Sequence, residues 1–204
     1  MGLFSFDHTY RDTGYRVIAG VDEAGRGPWA GPVVAAAVIL PESPRLPGLN
    51  DSKKLSSKKR DLLFDAITAC ARSVGVGIID VTDIDTLNIL QATFCAMRVA
   101  IEKLSTPVDA LLVDGSLSVP GLTHTQKTII GGDGKSACIA AASIIAKVTR
   151  DRIMIELSRQ YPQYQFHEHK GYGTKVHYDA LVEYGPCPIH RKSFEPVKRF
   201  LDIV

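Results

Sequence analysis

Apolar and polar positions fall into short alternating blocks along this chain. Residues 17–21 are apolar and β-branched, and the chain then turns acidic and Gly-rich. Residues 33–40 form the longest apolar run, closed by Pro41, and predict a buried strand. Gly25, Gly27, Pro28, Gly31 and Pro32 lie between these runs and predict a loop or hairpin. Ser56 is placed to cap a helix over residues 57–71, and residues 74–81 predict a third strand. Over residues 86–104, Leu87, Leu90, Phe94, Met97, Ile101 and Leu104 recur at spacings of three and four, which predicts a helix that Pro107 stops. Residues 110–113 read as a buried strand ending on Asp114-Gly115. Residues 125–130 read as a further strand, ending on Gly131-Gly132-Asp133. A long helix rich in Ala and Ile follows, over residues 136–159.

Three strands before the first long helix, then strands alternating with helices, predict an α/β domain with a mixed sheet. Composition changes after Pro162, where aromatic, His, Gly and Pro residues dominate. The expected organisation is a main domain over residues 1–160 and a small helical or irregular appendage over 161–204 packed on it. No repeat or low-complexity segment interrupts this pattern. Hydrophobic residues make up 45% and charged residues 23% of the chain, which excludes disordered, collagenous and coiled-coil classes. The longest apolar run is too short to span a bilayer, and residues 1–16 lack the apolar stretch of a signal peptide. A cytoplasmic monomer with no membrane partner is the expectation. Cys70, Cys95, Cys138 and Cys187 form no CxxC pair, so reduced thiols are expected.

The formal net charge is only +2, but its distribution is uneven. Lys53, Lys54, Lys58, Lys59 and Arg60 cluster around one acid, Asp51, and His190, Arg191, Lys192, Lys198 and Arg199 form a second basic cluster. Such runs are ordinarily solvated surface. Two of them in a weakly charged chain favour an extended anionic partner, with Lys53, Lys54 and Arg191 meeting phosphates.

The acids point to chemistry. Asp22-Glu23 follow the first strand, Asp114 ends a later one and Asp133 ends the next. Acids at strand ends are often only turn residues. Here separate segments all deliver them where ligands of open α/β sheets gather. Adjacent strand residues point to opposite faces, so Asp22 and Glu23 share a site only if the strand ends or kinks there. Clustered carboxylates repel and need a cation, and hard oxygen ligands suit Mg²⁺ or Mn²⁺. Two such ions fit a phosphoryl displacement.

Two other motifs fail. Gly134-Lys135-Ser136 lacks the Gly five positions earlier that a phosphate-binding nucleotide loop needs, since Ile129 stands there. His167-Glu168-His169 lacks the second His of a zinc protease motif, since position 171 is Gly, so these histidines are expected to face solvent or phosphate.

Taken in order, the motifs resemble the ribonuclease HII family, bacterial type. Val21-Asp22-Glu23-Ala24-Gly25-Arg26-Gly27-Pro28 is similar to its N-terminal signature, and Leu49-Asn50-Asp51-Ser52-Lys53-Lys54-Leu55-Ser56 to its basic segment. Ile84-Asp85 with Leu87-Asn88-Ile89, Val113-Asp114-Gly115 and Ala141-Ala142-Ser143-Ile144-Ile145-Ala146-Lys147-Val148-Thr149-Arg150-Asp151 follow, then His169-Lys170-Gly171-Tyr172 and His190-Arg191-Lys192-Ser193-Phe194. The resemblance implies an RNase H-like mixed sheet flanked by helices. It implies cleavage of RNA in RNA–DNA hybrids and on the 5′ side of single ribonucleotides in duplex DNA, giving 3′-hydroxyl and 5′-phosphate. It maps the metal-binding acids onto Asp22, Glu23, Asp114 and Asp133, and the junction readers onto Gly25, Arg26, Gly27 and Tyr172. Where the family usually has Lys-Gly-Asp this chain has Gly131-Gly132-Asp133, which removes a cation beside the site. Lys147 and Asp151 are further candidates, although Asp151 has Lys147, Arg150 and Arg152 as ordinary ion-pair partners. A resolvase or transposase of the same fold would share the acids but not Gly25-Arg26-Gly27 with Tyr172. A non-catalytic binding module would be expected to lose at least one acid.

Overall fold

The computed structural model describes residues 2–201. Its elements in chain order are α1 (Leu3–Asp12), β1 (Ile18–Ala24), β2 (Val33–Ile39), α2 (Ser57–Cys70), β3 (Ser73–Ile79), α3 (Val81–Leu87), α4 (Ile89–Glu102), β4 (Ala110–Asp114), β5 (Thr125–Ile129), α5 (Ala137–Gln160), α6 (Phe166–His169) and α7 (Lys175–Tyr184). The sheet order is β3-β2-β1-β4-β5. β1, β2 and β3 form an antiparallel meander, and β4 and β5 add in parallel beyond β1. The sheet is therefore mixed.

Both faces of the sheet are covered, so its central strands read as continuous apolar runs rather than alternating ones. Ile18, Val34, Ala36 and Leu112 pack with α5 and α2 on one side, while Ala19, Val21, Ala35 and Val113 pack with α4 on the other. The first ten residues of α5 are all buried, which explains why Ala and Ile fill them without a polar stripe. Helix and strand meet closely at Gly20, where a Cβ would fall on the backbone of Cys138 and Ile139. α6, α7 and the chain after them build a smaller cluster from Ala30, Met154, Tyr164, Phe166, Leu181 and Val197. No helix among the described residues is long and apolar enough to cross a membrane. The four cysteines are free.

Three features differ from the sequence expectations. β1 runs past Val21 to Ala24, because Asp22, Glu23 and Ala24 pair with Ala36, Ala35 and Val34 of β2. The acids therefore lie inside the strand rather than after it. The single helix expected over residues 86–104 is two, α3 and α4. Asn88 breaks the run with a left-handed φ of 71°, and its side chain accepts from the N–H groups of Leu90 and Gln91. The apolar spacing carries across that break and hides it. Finally, α1 gave no sequence signal. It docks through Asp7, a buried carboxylate whose Oδ2 accepts from the Cys138 N–H in the first turn of α5.

Candidate active site

Pairing of β1 with β4 places Val21 opposite Val113, so the next residues, Asp22 and Asp114, sit side by side facing α5. Asp133 comes from the short 3₁₀ turn Gly132–Gly134 that leads into α5. One carboxylate oxygen from each of these three residues lies within 4.8 Å of the others. Backbone donors orient two of the groups. The Glu23 N–H donates to Asp22 Oδ1 at 2.7 Å, and the Gly132 N–H donates to Asp114 Oδ1 at 2.7 Å.

Electrostatically the centre is loaded with like charge. Asp22 is held well above the usual carboxylate range, first by burial and then by the neighbouring charges of Glu23 and Asp114. Asp114 and Glu23 are also raised, in each case chiefly by burial. The local cation is Lys53, whose Nζ lies 3.1 Å from Asp133 Oδ2. Burial pulls the Lys53 ammonium down, but Asp133, Asp22 and Asp51 outweigh it and its pKa rises. The position that lacks the usual family Lys before Gly132-Asp133 thus has a lysine reaching it from another segment. An oxygen-only donor set with unrelieved repulsion fits a hard divalent cation, and Asp22, Asp114 and Asp133 are the residues placed to hold one.

Glu23 is not part of the three-acid convergence. It points to the α4 side of the sheet, and its Oε1 accepts from Arg26 Nη1 at 3.3 Å. β1 does not kink here. Glu23 nevertheless borders the same cleft because β1 is near its end.

That cleft, of about 230 Å³ over the carboxylates, is also bordered by Gly25, Arg26, Gly27, Lys53, Lys147 and Tyr172. Tyr172 is 43% exposed, with Lys147 Nζ 5.7 Å and Arg150 Cζ 5.8 Å from its ring centroid. Lys54 is not in the cleft lining and lies 3.9 Å from Asp51 instead. Asp151 pairs with Lys147 at 2.7 Å, one turn back on α5, and borders a neighbouring hollow of about 360 Å³ rather than the acid cleft. Arg191 corrects an expectation. It is fully buried, and its guanidinium donates to the carbonyls of Gly25, Arg26 and Gly31, so it has no face left for a phosphate. Of the two motif histidines, His167 is exposed as expected, whereas His169 is half-buried with Nε2 2.8 Å from the Tyr164 carbonyl.

Three further residues contribute without a sequence signal. Ser52 and Ser143 form a buried hydroxyl pair at 2.7 Å that latches the Lys53 segment onto α5, and both border the cleft with Asp22. Arg150 reaches the loop between β1 and β2 from α5. Ser52 in the basic segment, and Ser143 and Arg150 within the helical pattern of α5, carry no sequence mark of such roles.

The family model for ribonuclease HII matches residues 19–197, a span that contains every residue of this cleft. The chain belongs to the ribonuclease HII family. It is 56% identical to ribonuclease HII of Endomicrobium trichonymphae over 195 residues, covering 96% of this chain and 93% of the relative. It is 57% identical to ribonuclease HII of Geobacter metallireducens over 196 residues, covering 96% and 92%. Among solved structures, ribonuclease H2 of Pyrococcus horikoshii matches with a TM-score of 0.77 at 28% identity, covering 92% of this chain and 98% of that one. The RNase HII of Archaeoglobus fulgidus, solved in complex with PCNA, matches with a TM-score of 0.72 at 25% identity, covering 92% and 100%. Bst-RNase HIII, solved in complex with Mn²⁺, shares the fold with a TM-score of 0.70 at 18% identity, covering 92% and 70%. The fold is RNase H-like, and membership of the ribonuclease HII family, which acts on RNA–DNA hybrids, makes this chain an RNase H-type endonuclease.

Proposed function

We propose that this chain cuts RNA within RNA–DNA hybrids and also on the 5′ side of single ribonucleotides embedded in duplex DNA, leaving 3′-hydroxyl and 5′-phosphate ends. The observation that carries the finer half of this reading is the shared cleft: Gly25, Arg26, Gly27 and Tyr172 border the same space as Asp22 and Asp114. A group that distinguishes one sugar and a group that cuts beside it must lie within a nucleotide of each other.

Mg²⁺ or Mn²⁺ is the cofactor of this reading, two ions with substrate, held by Asp22, Asp114 and Asp133 with Glu23 from the opposite face. When bound, such ions activate water and stabilise the leaving oxygen of a phosphoryl displacement. The protein's own residues do the rest. The Glu23 and Gly132 N–H groups fix one oxygen of Asp22 and Asp114, which leaves the other oxygen of each free to act as a ligand. Arg26, half-exposed beside Glu23, is placed to grip a flanking phosphate. Lys53 brings a point charge to the cleft for the same backbone. Gly27 has open space around its missing Cβ, so a sugar can approach the peptide closely. The Tyr172 ring offers a face to the sugar next to the junction.

The test is a DNA duplex holding one ribonucleotide, incubated with and without Mg²⁺, with product ends identified by mass. Metal-dependent cutting 5′ of the ribonucleotide with 3′-hydroxyl and 5′-phosphate ends is expected. Cutting of continuous hybrids alone would remove the finer half of the reading.

A further inference from the structure

Two buried guanidiniums lie beneath the cleft. Arg150, on α5, donates from Nε to the Pro32 carbonyl at 2.9 Å, from Nη2 to Ala30 at 3.0 Å and from Nη1 to Lys170 at 3.0 Å. Arg191 donates from Nε to Gly31 at 3.0 Å, from Nη1 to Arg26 at 2.9 Å and from Nη2 to Gly25 at 2.6 Å. Both side chains are fully buried, and among the described residues neither makes an ion pair with a carboxylate. Burying an unpaired cation is costly unless fixed dipoles replace its water. Here five carbonyls of the loop between β1 and β2, together with Lys170 two residues before Tyr172, supply those dipoles.

We infer that Arg150 and Arg191 are positioning residues for ribonucleotide recognition: they clasp the loop holding Gly25-Arg26-Gly27 to the loop holding Tyr172 and turn its peptides toward the cleft. The inference rests on the reading that these two loops flank the ribonucleotide. In a trans peptide the C=O and the following N–H point in opposite directions. Arg191 draws the Gly25 and Arg26 carbonyls inward. The N–H groups of Arg26 and Gly27 are thereby aimed outward, and neither donates to a protein acceptor among the described residues. Two free donors on glycine-flanked backbone are what a 2′-hydroxyl or its adjoining phosphate requires.

The clasp is tight on both sides. Gly25 has a left-handed φ of 99°, and the Arg150 side chain occupies the place its Cβ would take. Trp29 ties the two loops directly, its N–H donating to Gly171 at 2.8 Å and its carbonyl accepting from the Arg191 N–H at 2.8 Å. Asp85 fixes the turn after Arg191, accepting from the N–H groups of Lys192 and Ser193 at 2.9 Å each.

The experiment uses Arg191→Lys, which keeps the charge and stem but replaces a planar fork by a point donor. Wild-type and variant are compared on a single-ribonucleotide duplex and on a continuous hybrid. A loss of kcat/KM about tenfold greater on the former is expected, the scale of a charged hydrogen bond. Mn²⁺ affinity should hold within about twofold, because no carboxylate moves. Trp29 is the chain's single tryptophan, so its fluorescence anisotropy should fall as the clasp loosens. Equal loss on both substrates, or unchanged anisotropy, would overturn the inference. Wild-type protein that fails on the single-ribonucleotide duplex would overturn the proposed function instead. If Arg191→Lys does not fold, Arg150→Lys carries the same comparison, and if neither folds the arginines are general supports and the inference fails.

Discussion

The carboxylate centre and the arginine clasp lie at two sides of one cleft and are built by opposite means. At the centre, like charges converge from β1, β4 and the turn before α5 with Lys53 beside Asp133, and burial raises Asp22, Asp114 and Glu23. In the clasp, two cations are buried with no acid partner among the described residues and are solvated by backbone dipoles. The first arrangement is held in a state that a ligand improves. The second is already complete and leaves its geometry fixed. Reactivity resides where interactions are unsatisfied, and selectivity where they are not.

The largest expected effect follows from the first region. Asp22→Asn or Asp114→Asn keeps size and backbone contacts but removes a ligand charge. Cleavage should fall by at least about a thousandfold, on the order of 4 kcal/mol of transition-state stabilisation. Circular dichroism should show the fold unchanged. Near wild-type turnover by either variant at saturating Mg²⁺ would break the contrast at its reactive end.

A smaller effect is expected at the recognition end. Tyr172→Ala removes an exposed ring that touches no carboxylate of the centre. Its kcat/KM on a single-ribonucleotide duplex should drop about tenfold more than on a hybrid, consistent with the ~1–3 kcal/mol of a stacking contact. Mn²⁺ binding measured by calorimetry should not change. Equal loss on both substrates would make Tyr172 a general part of the site.

How far the sequence discloses each region has a physical basis. Asp22, Asp114 and Asp133 stand after apolar strand runs, and such acids are legible because strands end where sites form. Strand pairing is not legible, which is why β1 was expected to end at Val21 although β2 pairs with it as far as Ala24. Asn88 is a helix cap disguised by continuous apolar spacing on either side. Arg191 shows the deepest limit. Among His190, Lys192, Lys198 and Arg199 it reads as one more surface cation, and only tertiary contacts with Gly25, Arg26 and Gly31 turn it inward. The resemblance to a family located the blocks but not which face each side chain takes.

Lys53 and Lys54 are adjacent in sequence but differ in surroundings. Lys53 borders the cleft beside Asp133, while Lys54 lies beside Asp51 outside it. A lysine that meets a duplex phosphate contributes about 0.9 to the slope of log affinity against log salt. Lys53→Ala should flatten that slope by about this amount for every sequence tested, and Lys54→Ala by less. Fluorescence anisotropy of labelled duplex across a salt series measures both. Identical slopes for the two variants would remove the distinction.

The smallest effect sets the two regions against each other through pH. Under the clasp, His177 and His190 are buried, with Nε2 atoms 2.9 Å apart, and burial first lowers them to about 4 and about 3. Both stay neutral in the fold while the unfolded chain takes up protons below about 6.5. Folding stability is therefore lost as pH falls through that window, by at most about 1.4 kcal/mol per pH unit for each histidine. Asp22 has the opposite sign. Its folded pKa lies above its unfolded value of about 4, so the folded carboxyl takes up its proton first and stability rises as pH falls. In the metal-free protein the two trends therefore oppose each other as acid is added. Asp22→Asn deletes only the second. Denaturant unfolding in chelator should then show the variant more stable than wild type at pH 7, with an advantage that shrinks as acid protonates the wild-type carboxyl. A variant no more stable than wild type at pH 7 would mean that the carboxylate centre carries no strain, and the contrast between an unsatisfied centre and a satisfied clasp would fail.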